Sequence, residues 1–170
     1  MIEIRVTGLD NLQKATGQML LWGKKPFSGG SALRIRKDWN KRIGQAFDSK
    51  GSSIGQKWKP LSPSYAAWKG RHFPGQPLLV LRGKMKQSLT EESSRNAIFN
   101  RRGGRQLILG TRIKYAAAHQ YGVKKNGKKK INIPARPFFK VDQGLVNDWA
   151  KEMAKDVRLA EKGSSRWRER

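Results

Sequence analysis

Ile2, Ile4 and Val6 alternate with polar residues, a period of two that predicts a short strand ended by Gly8. Leu9, Leu12, Ala15, Met19 and Leu20 then fall at helical spacing, with Thr7 or Asp10 as the cap and Lys24-Lys25-Pro26 and Gly29-Gly30 as the stop. Ile35, Trp39, Ile43 and Phe47 recur every four residues and predict a helix from near Ser31 with one buried face. Leu145, Trp149, Met153 and Val157 repeat the pattern near the end of the chain, behind Asp142 as an N-cap.

Between these helices the periodicity changes. Gly51–Gly75 has no regular period and many turn residues, and reads as a long irregular connector. Leu78–Leu81 is a short apolar run, and Gly83–Leu89 is long enough for one or two helical turns. Ala97–Phe99 and Gln106–Leu109 are strand candidates, with Arg101-Arg102-Gly103-Gly104 as the turn between them. Asn126-Gly127 is a strong hairpin signal, because both central residues of a type I′ turn need positive φ. Its arms would be Gly122–Lys125 and Lys128–Ile133. The pattern predicts an α+β fold: a small antiparallel sheet packed by N-terminal and C-terminal helices, with a lysine-rich β-hairpin and a long connector loop. Residues 1–162 are expected to form one domain and 163–170 a mobile charged tail.

Composition sharpens this picture through charge. The net charge is +25, and it is concentrated: residues 49–141 hold 21 Lys/Arg and only two acids, Glu91 and Glu92. Such a field attracts phosphate or acidic protein surfaces. No run approaches the roughly 20 apolar residues of a membrane span, and the strand-like start lacks the apolar core of a signal peptide. There is no cysteine, which excludes disulfides and thiolate metal sites.

Catalytic chemistry finds little support. His72 and His119 have no partner at metal-ligand spacing, and the basic block is almost free of carboxylates for acid–base work. Gly51–Lys57 lacks the spacing of a phosphate loop. No metal or cofactor is expected, and a nuclease using His119 ranks last. His119, set among small residues, reads as a packed, hydrogen-bonded histidine. Nucleic-acid contact is better supported. Lys124, Lys125, Lys128, Lys129 and Lys130 crowd one hairpin, and Arg101, Arg102 and Arg105 crowd the other turn. Contact there would be to the nucleic-acid backbone and independent of base sequence. Trp58, Tyr65 and Trp68 lie among lysines as in a base-stacking surface, but Trp58 and Tyr65 are expected to cover the core instead. Pro134 and Pro137 fix the backbone around Arg136 and remove two donors, which favours a rigid extended strap. It would present Arg136, Phe138 and Phe139, residue types favoured as anchors of protein contacts, with one of the two phenylalanines closing the core.

The order of these motifs resembles the phage virion morphogenesis family, the tail-completion proteins of Mu-like and P2-like phages and prophages. The resemblance runs over roughly residues 30–155. It is carried by Trp58-Lys59-Pro60-Leu61-Ser62-Pro63-Ser64-Tyr65, the Leu78–Leu89 segment, Leu109-Gly110-Thr111, Tyr115-Ala116, His119-Gln120-Tyr121-Gly122 and Ile133–Phe139. It implies a non-enzymatic structural protein of the virion, assembled in the host cytoplasm, that completes the tail and joins it to the head at the neck as a ring. Its partners would be other copies of itself, neck or connector proteins, tail tube or terminator proteins, and packaged DNA, with no membrane. On that reading Trp58, Leu61 and Tyr65 shape a docking loop. Tyr115, Ala116, His119, Tyr121 and Gly122 order the segment beneath the hairpin. Pro134, Arg136, Pro137 and Phe138 anchor a subunit or connector contact, and the lysines face DNA or an acidic surface. The alternative is a sequence-nonspecific nucleic-acid-binding protein.

Overall fold

The computed structural model of the chain describes residues 2–6, 26–27, 30–125 and 131–165. In chain order the elements are strand β1 (Ile2–Val6), helix α1 (Ser31–Asp48), helix α2 (Pro63–His72), helix α3 (Lys84–Thr90), strands β2 (Ala97–Asn100) and β3 (Leu107–Thr111), helix α4 (Ala116–Tyr121), strands β4 (Val123–Lys125) and β5 (Ile131–Ile133), and helix α5 (Gln143–Ser165). One sheet has the order β1-β3-β2 and the other pairs β4 with β5. The fold is α+β, as the periodicity predicts. The expected helix over residues 9–20 and the tip of the lysine hairpin lie outside the described residues.

The chain forms two compact units with interleaved segments. One comprises Met1–Glu3, Trp39–Ile98 and Gly110–Lys140, the other Ile4–Asp38, Phe99–Leu109 and Val141–Arg170. α1 contributes residues to both, and its Ile35, Trp39, Ile43 and Phe47 stripe is buried throughout. β3 is buried along its whole length, which fits its central place in a sheet of three.

In the first unit the core is aromatic. Trp39 packs on Phe139 with ring centroids 4.2 Å apart, Phe47 meets Trp58 edge-on at 5.4 Å, and Phe138 lies 6.0 Å from Phe47. Ser88 and Thr111 are buried together and share a hydroxyl hydrogen bond of 2.7 Å, so neither is orphaned. The β4–β5 hairpin is antiparallel as expected, with Val123 opposite Ile133 and Lys125 opposite Ile131. Five residues, 126–130, separate the paired ends, so the register is not that of a two-residue type I′ turn at Asn126-Gly127, which would set Lys125 opposite Lys128.

In the second unit Phe27, Ile35, Leu107, Ile108, Leu109, Leu145 and Trp149 are buried. Asp142 caps α5: its Oδ1 accepts the Leu145 N–H at 2.9 Å. The buried Asp156 carboxylate sits at the start of α1, accepting the Ser31 N–H at 2.7 Å and an Arg34 guanidinium N–H at 2.5 Å. Arg34 also donates to Glu152 Oε2 at 2.8 Å. Burial acts to raise the Asp156 pKa, but the bonds from Arg34 and Ser31 outweigh it and hold the carboxyl below its ordinary value. A pKa depressed on folding adds stability above the unfolded pKa, and that stability disappears as pH falls through the folded value. Asp156→Asn is therefore expected to lower stability by about 1–2 kcal/mol at neutral pH. The loss should shrink below about pH 4, which melting curves at the two pH values would measure.

Two of the sequence expectations change. Gly51–Gly75 is not an irregular connector: it holds a turn of 3-10 helix over Ser52–Ile54 and the ten-residue α2. Pro63 stands in the first turn of α2, where its missing N–H costs nothing. Lys69 is the single buried residue of this helix, so no apolar stripe announces it. Tyr65, expected over the core, is 42% exposed, because it borders an open surface cleft.

Candidate functional site

The strap from Pro134 to Phe139 is the centre of the first unit's loop structure. Its prolines leave few backbone donors, and those of Arg136 and Phe138 are paired. The Arg136 N–H donates to His119 O at 2.6 Å. The Phe138 N–H donates to Gln120 Oε1 at 3.1 Å, while Gln120 Nε2 donates to Phe139 O at 2.7 Å. Gln120 thus clamps the strap from both sides. Residue-type reasoning passed over it, although its place beside His119 in the small-residue segment was a signal.

Arg136 points inward. It is 4% exposed, and its guanidinium donates to Lys59 O at 2.8 Å and Pro60 O at 2.9 Å. Trp58 Nε1 donates to Pro137 O at 2.5 Å. Strap and Trp58–Pro60 segment therefore tie each other in place. Two glycines permit the close approaches. A Cβ on Gly51, at φ 86°, would lie 2.1 Å from Gln56 O and 2.5 Å from the Trp58 ring. One on Gly122, at φ 76°, would lie 2.9 Å from Ala135 N.

This geometry corrects the expected orientation of the strap. Phe138 is 1% exposed and Phe139 is also buried, so both phenylalanines, and not one, close the core. Arg136, Phe138 and Phe139 are not presented to solvent, because the prolines aim them at the Trp58–Pro60 segment and α1. His119 is packed as expected, but its buried Nδ1 has no hydrogen-bond partner among the described residues. Burial, and then the Arg136 charge, lower its pKa below the ordinary histidine value. The ring is neutral at neutral pH.

The outward-facing aromatics lie elsewhere. Tyr65, Trp68 and Tyr115 are exposed, and Tyr121 is 72% exposed. Tyr65, Trp68 and Tyr115 line a cleft of about 760 Å³ together with Leu61, His119 and the 78–85 segment. The structure thus gathers Trp58, His119, Pro134, Arg136, Pro137 and Phe138 into the staple, Leu61, Tyr65 and Tyr115 along the cleft with His119, and leaves Tyr121 on the surface. Lys69 joins α2 to the following turn by donating from Nζ to Pro77 O and, at 3.2 Å, to Leu78 O. Burial lowers its pKa.

Of the basic residues, Arg101, Arg102, Arg105 and Lys124 are exposed. Arg101, Arg102 and Arg105 belong to one unit and the hairpin lysines to the other. The Lys125 side chain and Lys128, Lys129 and Lys130 lie outside the described residues. Among the described residues no three His, Asp or Glu groups come together as a metal site, and no helix is long and apolar enough to cross a membrane.

The chain is 36% identical over 72 residues to Mu-like prophage FluMu G protein 2 of Haemophilus influenzae (strain ATCC 51907 / DSM 11121 / KW20 / Rd). That stretch is 42% of this chain and 46% of the relative, so the match spans under half of the relative's length. No solved structure matches. The phage virion morphogenesis family model matches residues 32–158, a span holding all but the first residue of α1, the cleft, the strap and its staple. With that match over most of its length, the chain belongs to the phage virion morphogenesis family.

Proposed function

We propose that the protein is a non-enzymatic structural component of a tailed-phage or prophage virion that completes the tail end and joins tail to head at the neck. The family match over residues 32–158 carries this reading. The arrangement of the first unit supports it: a strap locked inward leaves a rigid platform, and exposed Tyr65, Trp68, Tyr115 and Tyr121 stand on its outside. Aromatic residues on a rigid base are what protein interfaces use as anchors. Copies of the protein would form a ring that meets neck or connector proteins on one side and tail tube or terminator proteins on the other. Its basic surface would face acidic protein or the packaged DNA.

The test is imaging of particles produced when the reading frame is deleted from its phage or prophage. Filled heads and free tails, restored to joined virions by the wild-type chain, are the expected result. Normally joined virions without the protein would overturn the proposal.

A second reading, sequence-nonspecific nucleic-acid binding, is favoured by one observation: the 21 Lys/Arg against two acids in residues 49–141. It makes a separate prediction. Changing Lys124, Lys125, Lys128, Lys129 and Lys130 together to Gln should flatten the salt dependence of duplex binding by about 0.9 in log–log slope for each phosphate that is no longer neutralised. A slope unchanged in the five-fold variant would take the hairpin out of that reading.

A further inference from the structure

We propose that the cleft beside α2 is a docking groove for a polypeptide segment of another protein, one rich in Asp and Glu and carrying bulky apolar side chains. This rests on the assembly reading above, and it names the chemistry of a partner.

The first argument is the uncovered face of α2. Isolated helices shorter than about 12–15 residues are marginal in water, and α2 has ten, with Gly70 inside. Its one buried side chain is Lys69. Along the cleft it instead lines up a ladder of rings: Tyr65 on Trp68 at 5.4 Å and 22°, then Trp68 on His72 at 4.9 Å and 25°. Trp68 remains 37% exposed within this ladder. A cleft of about 760 Å³ lies within the ~300–1,000 Å³ range of ligand sites, room for several side chains of an extended segment.

Charge supplies the second argument. The residues lining the cleft include Lys69, Arg82 and Lys84 and not one carboxylate. Lys69 is engaged by two carbonyls, whereas Arg82 and Lys84 are exposed at the rim. An acidic segment complements this rim. The same basic block of a second copy, 21 Lys/Arg against two acids in residues 49–141, would meet repulsion at this rim.

Ring geometry separates polypeptide from nucleic acid. Base stacking needs a bare aromatic face. Trp68 stands between Tyr65 and His72 on the helix, stacks with both, and also meets Phe73 at 5.7 Å, so little of its face is left bare for a base. Leu61 and the Leu78–Leu81 run complete the lining, and aliphatic walls suit Leu or Phe side chains better than bases.

The experiment selects a random peptide library on the immobilised full-length chain, with oligo(dT) as competitor. Recovered peptides are expected to be enriched in Asp and Glu together with Leu, Phe or Trp. Their affinity should fall about tenfold or more in Trp68→Ala, and also in the Arg82→Glu/Lys84→Glu double variant. Arg82 and Lys84 are exposed, so melting should be unchanged in the double variant. If Trp68→Ala alters melting, the double variant decides the matter. No enriched sequence, peptides without acidic residues, binding indifferent to the variants, or displacement of the peptides by oligo(dT) would each overturn the proposal. Trp68→Ala in the deletion background separates the two readings. Separate heads and tails with the deletion, but normal joining and no peptide binding with Trp68→Ala, remove the groove and leave the assembly role. Normal virions with the deletion itself remove the assembly role, whatever the peptides do.

Discussion

Phe138→Ala is expected to destabilise the protein by about 4 kcal/mol, the middle of the range for truncating a buried phenylalanine. The ring is 1% exposed and lies against Phe47, which in turn meets Trp58 edge-on. Removing it opens a cavity whose walls cannot collapse easily. The backbone on both sides is held, by Gln120 at Phe138 N and Phe139 O and by Trp58 at Pro137 O. Small domains hold only about 5–15 kcal/mol in total, so much of the folded population is at stake. The shift in urea midpoint at constant m-value measures it. Phe138→Leu should lose no more than about half as much, since most of the volume is kept. A Phe138→Ala loss under about 1 kcal/mol would mean that the ring is not part of the core. Any failure of head–tail joining in Phe138→Ala is expected to coincide with loss of folded protein.

Arg136→Ala is the second large effect, about 3 kcal/mol. The substitution strips donors from Lys59 O and Pro60 O at once and detaches the strap from the segment carrying Trp58. Arg136→Lys should recover only part of the loss. A single ammonium on a flexible stem does not reproduce the planar fork that serves two neighbouring carbonyls. Burial lowers the Arg136 pKa from its ordinary value, but a guanidinium stays charged across the working range. The loss should therefore be constant above about pH 7 and shrink below about pH 6.5, where removing the Arg136 charge relieves part of the depression of the His119 pKa. Denaturation of the wild type, Arg136→Lys and Arg136→Ala should rank them in that order. Equal stability of all three would show that the staple contributes nothing.

Much of the fold was readable because packing writes itself into period. The four-residue repeat of Ile35, Trp39, Ile43 and Phe47 marks the buried face of α1, and Leu145 and Trp149 mark that of α5 behind its Asp142 cap. The place of the hairpin follows from Asn126-Gly127, but its register does not, since Lys125 pairs with Ile131 and not with Lys128. α2 was hidden because its inward residue is a lysine whose polar tip finds the carbonyls of Pro77 and Leu78, a contact with no hydrophobic signature. The site was half legible. Trp58, His119, Arg136 and Phe138 do come together, and their residue types mark them out. Their direction was not legible, because Arg136 and Trp58 bind main-chain carbonyls, which every residue possesses and no sequence distinguishes. Tyr65 was misplaced for the same reason as α2: an aromatic residue without a period gives no indication of which side it faces.

The staple also has a consequence for the order of events during synthesis. Arg136 and Lys59 are 77 residues apart, and Trp58 and Pro137 79. The closure entropy of such a loop is met before any of its bonds form, and contacts of this separation slow folding. A ribosome that has made Trp58, Lys59 and Pro60 has not yet made the residues that hold them. The first unit therefore completes late, when the chain through Phe139 has emerged, and truncation before that point should leave the nascent Trp58 segment open to proteases and chaperones.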